Sequence, residues 1–472
     1  MARTIFTYIL LILSCVGAGA QYITGVMEYR PAPGQFINSM PWGCPVSARS
    51  LVSGVNGTLS LGAFGGYVIF RFETAVENDS DNPFGIDFTI FGNPMTDWSE
   101  PGMVWVMEDK NENGLPDDTW FELAGSDYYF SSTLKDYRVT YTNPGGVEAS
   151  DVPWEDHLGN SGKIRANSAH TQPYYPLTDS FPAISADGYT LTGTLIQGAI
   201  DVEHPPGNKS LRRAFGYADN QIRGSGSHTV PDNPYTAEVE NSGGDAFDIS
   251  WAVDREGNFV DLDRIHFVKV QNGILHEGGW LGELSTEITG VVDVAAGPGL
   301  SGNLDLLVIQ DLPLEIDTGT IQMELFLFHM GRPVSLPPIQ WIVSEEWAAV
   351  DENQVLSLSG SGPLTLSAFV TGVPSLYASV STLVTPGLLV FSTAGESLSR
   401  LSLYPNPARE IIHITGMKEA NLIFYDLSGK MVRQVQNYLA GGDIHIHDLS
   451  PGVYLIQIGE GSAIRWLKLL KQ

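Results

Sequence analysis

Tyr67-Val68-Ile69-Phe70-Arg71-Phe72-Glu73 is the stretch that decides the fold class. In an extended chain Val68, Phe70 and Phe72 share one face of the pleat, the period-two pattern of a β-strand with a buried side. Runs of the same kind recur downstream: Asp87-Phe88-Thr89-Ile90-Phe91, Met103-Val104-Trp105-Val106-Met107, Tyr137-Arg138-Val139-Thr140-Tyr141 and Tyr189-Thr190-Leu191-Thr192. Ile249-Ser250-Trp251-Ala252-Val253 and Arg264-Ile265-His266-Phe267-Val268-Lys269-Val270 complete the set. Few helical stripes interrupt them, so residues 21–296 are expected to form one large, jelly-roll-like β-sandwich in an all-β protein. Residues 142–188 look loop-rich by comparison, and long loops on a β scaffold are frequent binding surfaces.

At the N-terminus, Arg3 precedes an apolar run over 5–16 and then Gly17-Ala18-Gly19-Ala20, the order of a secretory signal cut before Gln21. As a helix the run is too short for about 30 Å of hydrocarbon, and no later segment is apolar enough to span a membrane. A lipoprotein reading through Cys15 meets an imperfect approach at Leu13-Ser14. Removal of 1–20 leaves Cys44 as the lone thiol of the mature chain, so no internal disulfide forms, and a buried inert thiol is the simplest reading of it.

About 450 mature residues suit three domains. Ala295-Ala296-Gly297-Pro298-Gly299 reads as a linker, and residues 297–388 as a second β domain with runs at 304–309, 338–343, 348–353 and 364–370. A junction over 389–400 leads to a small β-rich domain at 401–472. Of the 25 Lys/Arg and 54 Asp/Glu, seven and six fall in that last domain and Arg3 lies in the leader. The body therefore carries 17 basic against 48 acidic residues, a balance that repels nucleic acid and anionic lipid and favours cation capture.

Three resemblances follow from the motifs. Tyr404-Pro405-Asn406-Pro407, then Asp426-Leu427-Ser428-Gly429 after Tyr425, then Pro451-Gly452-Val453-Tyr454 closely resemble the C-terminal sorting domain of the type IX secretion system, the outer-membrane export route of Bacteroidota. That resemblance implies a small Ig-like sandwich, the secretion machinery as a partner, and a secreted or surface location. Residues 305–385 resemble a bacterial Ig-like domain, in which Trp341 plugs the space between two sheets. Asp87-Phe88-Thr89-Ile90-Phe91-Gly92-Asn93, the loop at 109–120 and Trp251-Ala252-Val253-Asp254 are similar to an uncharacterised class of Bacteroidota surface proteins.

The sharpest chemical motif is Asp109-Lys110-Asn111-Glu112-Asn113-Gly114-Leu115-Pro116-Asp117-Asp118. Oxygen donors at Asp109, Asn111 and Asn113, the Leu115 carbonyl and Asp117 or Asp118 can wrap a hard cation, while Gly114 permits the sharp turn. It resembles the first half of an EF-hand or dockerin calcium loop, departing where Trp120 replaces the expected acid. An Asn-Gly and Pro-Asp turn with solvated acids is the alternative. Magnesium wants a stricter shell, and zinc wants His or Cys, which the loop lacks.

Other candidates are weaker. Glu77-Asn78-Asp79-Ser80-Asp81-Asn82 reads as a solvated turn, with a second ion site as its alternative, and Asp219, Asn220 and Asp248 are candidates to converge on one site. His157, His170, His204 and His228 lack metal spacing. Trp98, Trp154, Tyr174, Tyr175 and Trp280 lie near turns, either tucked over a sheet edge or exposed to stack on sugar faces. No Gly-x-Ser-x-Gly elbow, His-Glu-x-x-His helix or phosphate loop is present. The expectation is a calcium-stabilised extracellular binding module, for glycan above all. A polysaccharide hydrolase with an unrecognised carboxylate pair and a structural or adhesive module are the alternatives.

Overall fold

The computed structural model describes residues 21–55, 57–95, 98–197, 200–201, 209–221, 233, 244–278, 281–293, 305–313, 315–385, 402–404, 408–415, 419–426, 430–439, 442–450, 452–458 and 465–471. The leader, the linker motif at 295–299, the junction at 389–400, Trp280, His204 and His228 lie outside them. Among the described residues no helix is long and apolar enough to cross a membrane.

The protein is all-β. In the first domain a six-stranded sheet, ordered Ala252–Val253, Phe121–Leu123, Gly102–Met107, Arg264–Asn272, Tyr67–Glu77, Gly25–Arg30, faces a four-stranded one. The latter runs Gln21–Tyr22, Gly290–Asp293, Phe88–Phe91, Asp245–Phe247. Val68, Phe70 and Phe72 are buried between them with Val104, Val106, Val268, Phe88, Ile90 and Phe247, which is the core that the alternation at Tyr67 predicts.

A third sheet, Ser161–Ile164, Val152–Asp156, Leu134–Thr142, Gly188–Leu195, covers the other side of the first domain. Residues 142–188 are thus less loop-like than expected: they contain a hairpin, and Tyr174 and Tyr175 are buried against Tyr141 and Tyr189. Trp98 is buried as well, so these rings are core, and the sugar-stacking reading fails for them. Ile249–Trp251, expected as strand, is instead a 3-10 turn capped by the Asp248 carboxylate, which accepts from Ser250 N; strand begins at Ala252.

The second domain packs mainly antiparallel sheets, in which Glu315–Ile316 joins Val373–Val384 in parallel, around Leu307, Leu327, Leu356, Leu366 and Ala368, with Trp341 partly buried against that core. It also interlocks with the first domain. Phe328 of the Leu325–His329 strand is fully buried in the first domain's core, its ring 5.1 Å from that of Phe215. Trp251 Nε1 donates to Met330 O, and Arg332 donates to Ser250 O. Buried Arg213 pairs with Asp127 and Asp311. The C-terminal domain pairs Met431–Leu439, Glu419–Asp426, Gly452–Ile458 and Arg465–Lys471 over Leu422, Phe424, Ile456 and Leu469.

Candidate functional site

The outer face of the six-stranded sheet carries a row of side chains set by register alone. Glu122 pairs across to Trp105, Trp105 to Lys269, Lys269 to Ile69, and Ile69 to Glu28. Cross-strand partners point to the same face, so these residues are neighbours although far apart in sequence. The third sheet closes over one end of the row, where Gly193 approaches so nearly that a Cβ there would lie 2.6 Å from Gln271 Oε1. Between the two sheets lies a cavity of about 250 Å³, lined by Trp105, Trp120, Tyr128, Glu122, Lys135 and Lys269 among others.

Its electrostatics are unusual for so acidic a chain. Lys269 Nζ lies 4.4 Å from the Trp105 ring centroid, with the Tyr67 and Trp120 rings at 5.6 and 5.9 Å. Lys135 Nζ sits 3.3 Å from the Tyr128 centroid. Both are cation–π contacts. Burial lowers the Lys269 ammonium to about 8, with Glu122 and Glu28 opposing the shift. Burial raises Glu122 to about 7, opposed by the hydrogen bond from Thr194 Oγ1 and by Lys135 and Lys269. Trp105 Nε1 is buried without a hydrogen-bond partner. Clefts that combine rings with shifted titratable groups are where ligands bind.

The proposed cation loop joins the two strands that carry Trp105 and Glu122. Asp109 accepts from Asn113 N at 3.1 Å and Gly114 N at 2.8 Å, and Asp118 accepts from Lys110 N at 2.9 Å. Asn111 Oδ1 accepts from Asn113 N, Asn113 Oδ1 accepts from Leu115 N, and both amides donate to Asp117. Gly114 has φ +72°, so glycine is needed there. The side-chain donors of Asp109, Asn111, Asn113, Asp117 and Asp118 are therefore drawn into one turn, closed by amide-to-carboxylate bonds. A cation would need Asn111 and Asn113 to present oxygen where they now present nitrogen. Loop and cation readings share this geometry.

Asp219 and Asp248 do not share a site. Asp248 caps its turn beside Asp87, whereas Asp219 meets Glu100 and Glu287, with ligand atoms of the three carboxylates within 4.8 Å of one another. Asp219 accepts from Asn93 N and Glu287 N, and burial pushes all three acids up, reinforced at Glu100 and Asp219 by the neighbouring carboxylates and opposed at Glu287 by hydrogen bonds with Asn93 and Glu100. Such a group must share protons or hold a cation. Gly92 makes the approach feasible, since a Cβ there would lie 2.3 Å from Asp219 Oδ1. The Phe91-Gly92-Asn93 motif thus has a structural cause, while the parts played by Glu100 and Glu287 have no local sequence signal.

The remaining candidates are structural. Asp79 donates its N–H to Asp87. His157 Nδ1 accepts from Arg138 N, and His170 packs edge-on to Phe36. Cys44 is half-buried rather than buried, and its partial burial raises the thiol. Of the sorting motifs, Gly452 opens the Gly452–Ile458 strand, Asp426 pairs with Tyr454, and Tyr454 Oη donates to Ser450 O. Tyr404 ends the Ser402–Tyr404 strand, and Pro405, Asn406, Pro407, Gly429 and Pro451 lie outside the described residues.

Residues 402–472 match the family described as the secretion system C-terminal sorting domain. The protein is accordingly exported by type IX secretion, to the cell surface or beyond it, and has that machinery as a partner. No curated protein matches the chain. Solved structures similar to it include extracellular domains 3–5 of Drosophila OTK, at 12% identity over 46% of this chain and 83% of that one, TM-score 0.16. Dimeric latent PorU from Porphyromonas gingivalis is similar at 10% identity over 71% and 29%, TM-score 0.12. PorZ, a surface component of the type IX secretion system of the same organism, is similar at 10% over 86% and 43%, TM-score 0.15. These distant likenesses say nothing of activity.

Proposed function

We propose that the protein is an extracellular binding module for a saccharide, made with a cleavable leader, sorted by its C-terminal domain and stabilised by calcium. The observation that carries the binding reading is the cavity on the outer face of the six-stranded sheet. There three aromatic rings and the charged groups of buried Glu122, half-buried Lys269 and exposed Lys135 converge in about 250 Å³, slightly below the usual range of small-molecule sites (~300–1,000 Å³). Rings supply flat apolar surface for a sugar face, and the charged floor supplies orientation.

Calcium belongs to the same reading through Asp109, Asn111, Asn113, the Leu115 carbonyl, Asp117 and Asp118, with the Asn111 and Asn113 amides turned so that oxygen replaces the nitrogen now facing Asp117. Its part would be to fix the connection that ends at Trp120, one wall of the cavity, and an ion bound by the folded state alone raises stability by mass action. Hydrolysis is the second reading, favoured by Glu122 at about 7. The second carboxylate it needs is otherwise engaged: Asp136 is ion-paired to Arg255 at 3.3 Å, and Asp254 accepts from Glu256 N and Asn258 N.

The test is a glycan array with the full chain, paired with an assay for released reducing ends. Binding that Trp120→Ala weakens at least tenfold, without release, supports the module; turnover lost in Glu122→Gln supports the hydrolase. For calcium, a melting midpoint unmoved by chelator, and unchanged ion content in Asp109→Ala, would remove the ion from the reading.

A further inference from the structure

The floor of the cavity is rich in donors and poor in acceptors. Lys269 and Lys135 rest on aromatic rings, and among the described residues neither makes a salt bridge. Trp105 Nε1 adds a buried donor with nothing to receive it. Of the three carboxylates that line the cavity, Asp136 holds Arg255 at the exposed rim and Asp254 is engaged in its own turn. Glu122 acts on both ammonium groups, one of its oxygens already accepting from Thr194, and Glu28 acts on Lys269 as well.

Lys135, Lys269 and Arg255 balance Glu122, Asp136 and Asp254 in the lining, an even ratio that runs against the composition. The body has 17 basic against 48 acidic residues, so chance would surround any lysine with carboxylates. Half-buried Lys269 and exposed Lys135, each against an aromatic ring at one concave place, are donors suited to acceptor oxygens. A desolvated ammonium backed by aromatic faces attracts an anion more strongly than an exposed one, because water screens it less.

We propose that the cavity takes a saccharide bearing a carboxylate, a uronic acid unit, with the aromatic walls against the apolar face of the ring and Lys269 and Lys135 on the carboxylate. The proposal rests on the saccharide-binding reading above and narrows it to a ligand class. The surrounding acidic surface then acts as a filter, admitting the anion only where the two lysines compensate its charge.

The experiment is titration calorimetry of the full chain with oligogalacturonate, with the matching neutral galactose oligomer and with a sulfated galactose oligomer. The uronate is expected to bind at least tenfold more tightly than the neutral oligomer, and its affinity to fall as salt rises. Lys269→Met is expected to weaken the uronate at least tenfold and to narrow its advantage over the neutral oligomer; Lys135→Met, at an exposed position, repeats the test with little risk to folding. Equal affinity for uronate and neutral oligomers, or no loss in either variant, overturns the proposal while the saccharide reading stands. Preference for the sulfated oligomer overturns the carboxylate assignment, and silence with all three overturns both readings together.

Discussion

Replacing Phe328 by alanine should uncouple the first two domains. The ring belongs to the second domain by sequence, yet it is fully buried in the core of the first, beside Phe215 at 5.1 Å and near Tyr129 and Phe326. Truncating a fully buried Phe to Ala costs ~3–5 kcal/mol, transfer and cavity together. If residues 21–385 melt as one unit, an unfolding entropy of roughly 2.1 cal/mol/K per residue turns ~4 kcal/mol into a Tm drop of about 5 °C. Differential scanning calorimetry of the full chain is the assay. The expected outcome is a lower first transition that separates from the second domain's own melting, because the ring that joins the two cores is gone. Phe369→Ala is the control: that ring lies on the outer face of the second domain, stacked on exposed Tyr377, and its loss should leave the transitions joined. A single transition displaced by under about 1 °C in Phe328→Ala would refute the interlock.

Three further outcomes follow from named contacts. Asp87 and Glu283 are raised to about 8 and Glu122 to about 7 by burial, so the folded state holds protons that the unfolded chain has released. Stability should therefore fall between about pH 5 and pH 8, by up to roughly 1.4 kcal/mol per pH unit for each such group, and a Tm that rises over that window would refute it. Lys269, lowered to about 8, acts above this window and does not offset the loss. Gly92→Ala should cost roughly 1–3 kcal/mol, since its new Cβ would overlap Asp219 Oδ1, and urea unfolding measures it. Deleting 402–472 should leave the protein on the inner side of the outer membrane, as read by surface labelling against whole-cell immunoblot.

The strands were legible because their burial is local. Val68, Phe70 and Phe72 alternate with their neighbours, and one face of the pleat follows directly. What alternation at that strand did not reveal is that Ile69 is buried too, with Met107 and Phe267, because the burial of the second face depends on what packs there. The hairpin of Val152–Asp156 and Ser161–Ile164 was missed for a different reason: Pro153, Glu155 and Asp156 are poor strand formers, and only pairing with Leu134–Thr142 orders them. The cavity was less legible still. Glu122, Trp105 and Lys269 are brought together by register across three strands, and register is a tertiary fact. A partial signal existed in Phe267-Val268-Lys269-Val270, where a lysine shares the pleat face of a fully buried phenylalanine.

The cation loop and the cavity are linked through one connection. The chain leaves the sheet after Met107 and returns at Phe121, a crossing far longer than the ~2–5 residues of an ordinary hairpin. Long closures cost entropy, and turn hydrogen bonds or an ion must hold this one in place. Trp120 stands at its exit, immediately before the strand, and forms a wall of the cavity. Order in the loop therefore sets the position of that wall. If calcium orders the loop, it must tighten the saccharide by some factor, and linkage requires the saccharide to tighten calcium by the same factor. Titrating each ligand in the presence and absence of the other measures both factors. Equal factors above one, both lost in Asp109→Ala, would establish the coupling; independent binding would mean that the loop is a self-sufficient turn and Trp120 is held by the sheet alone.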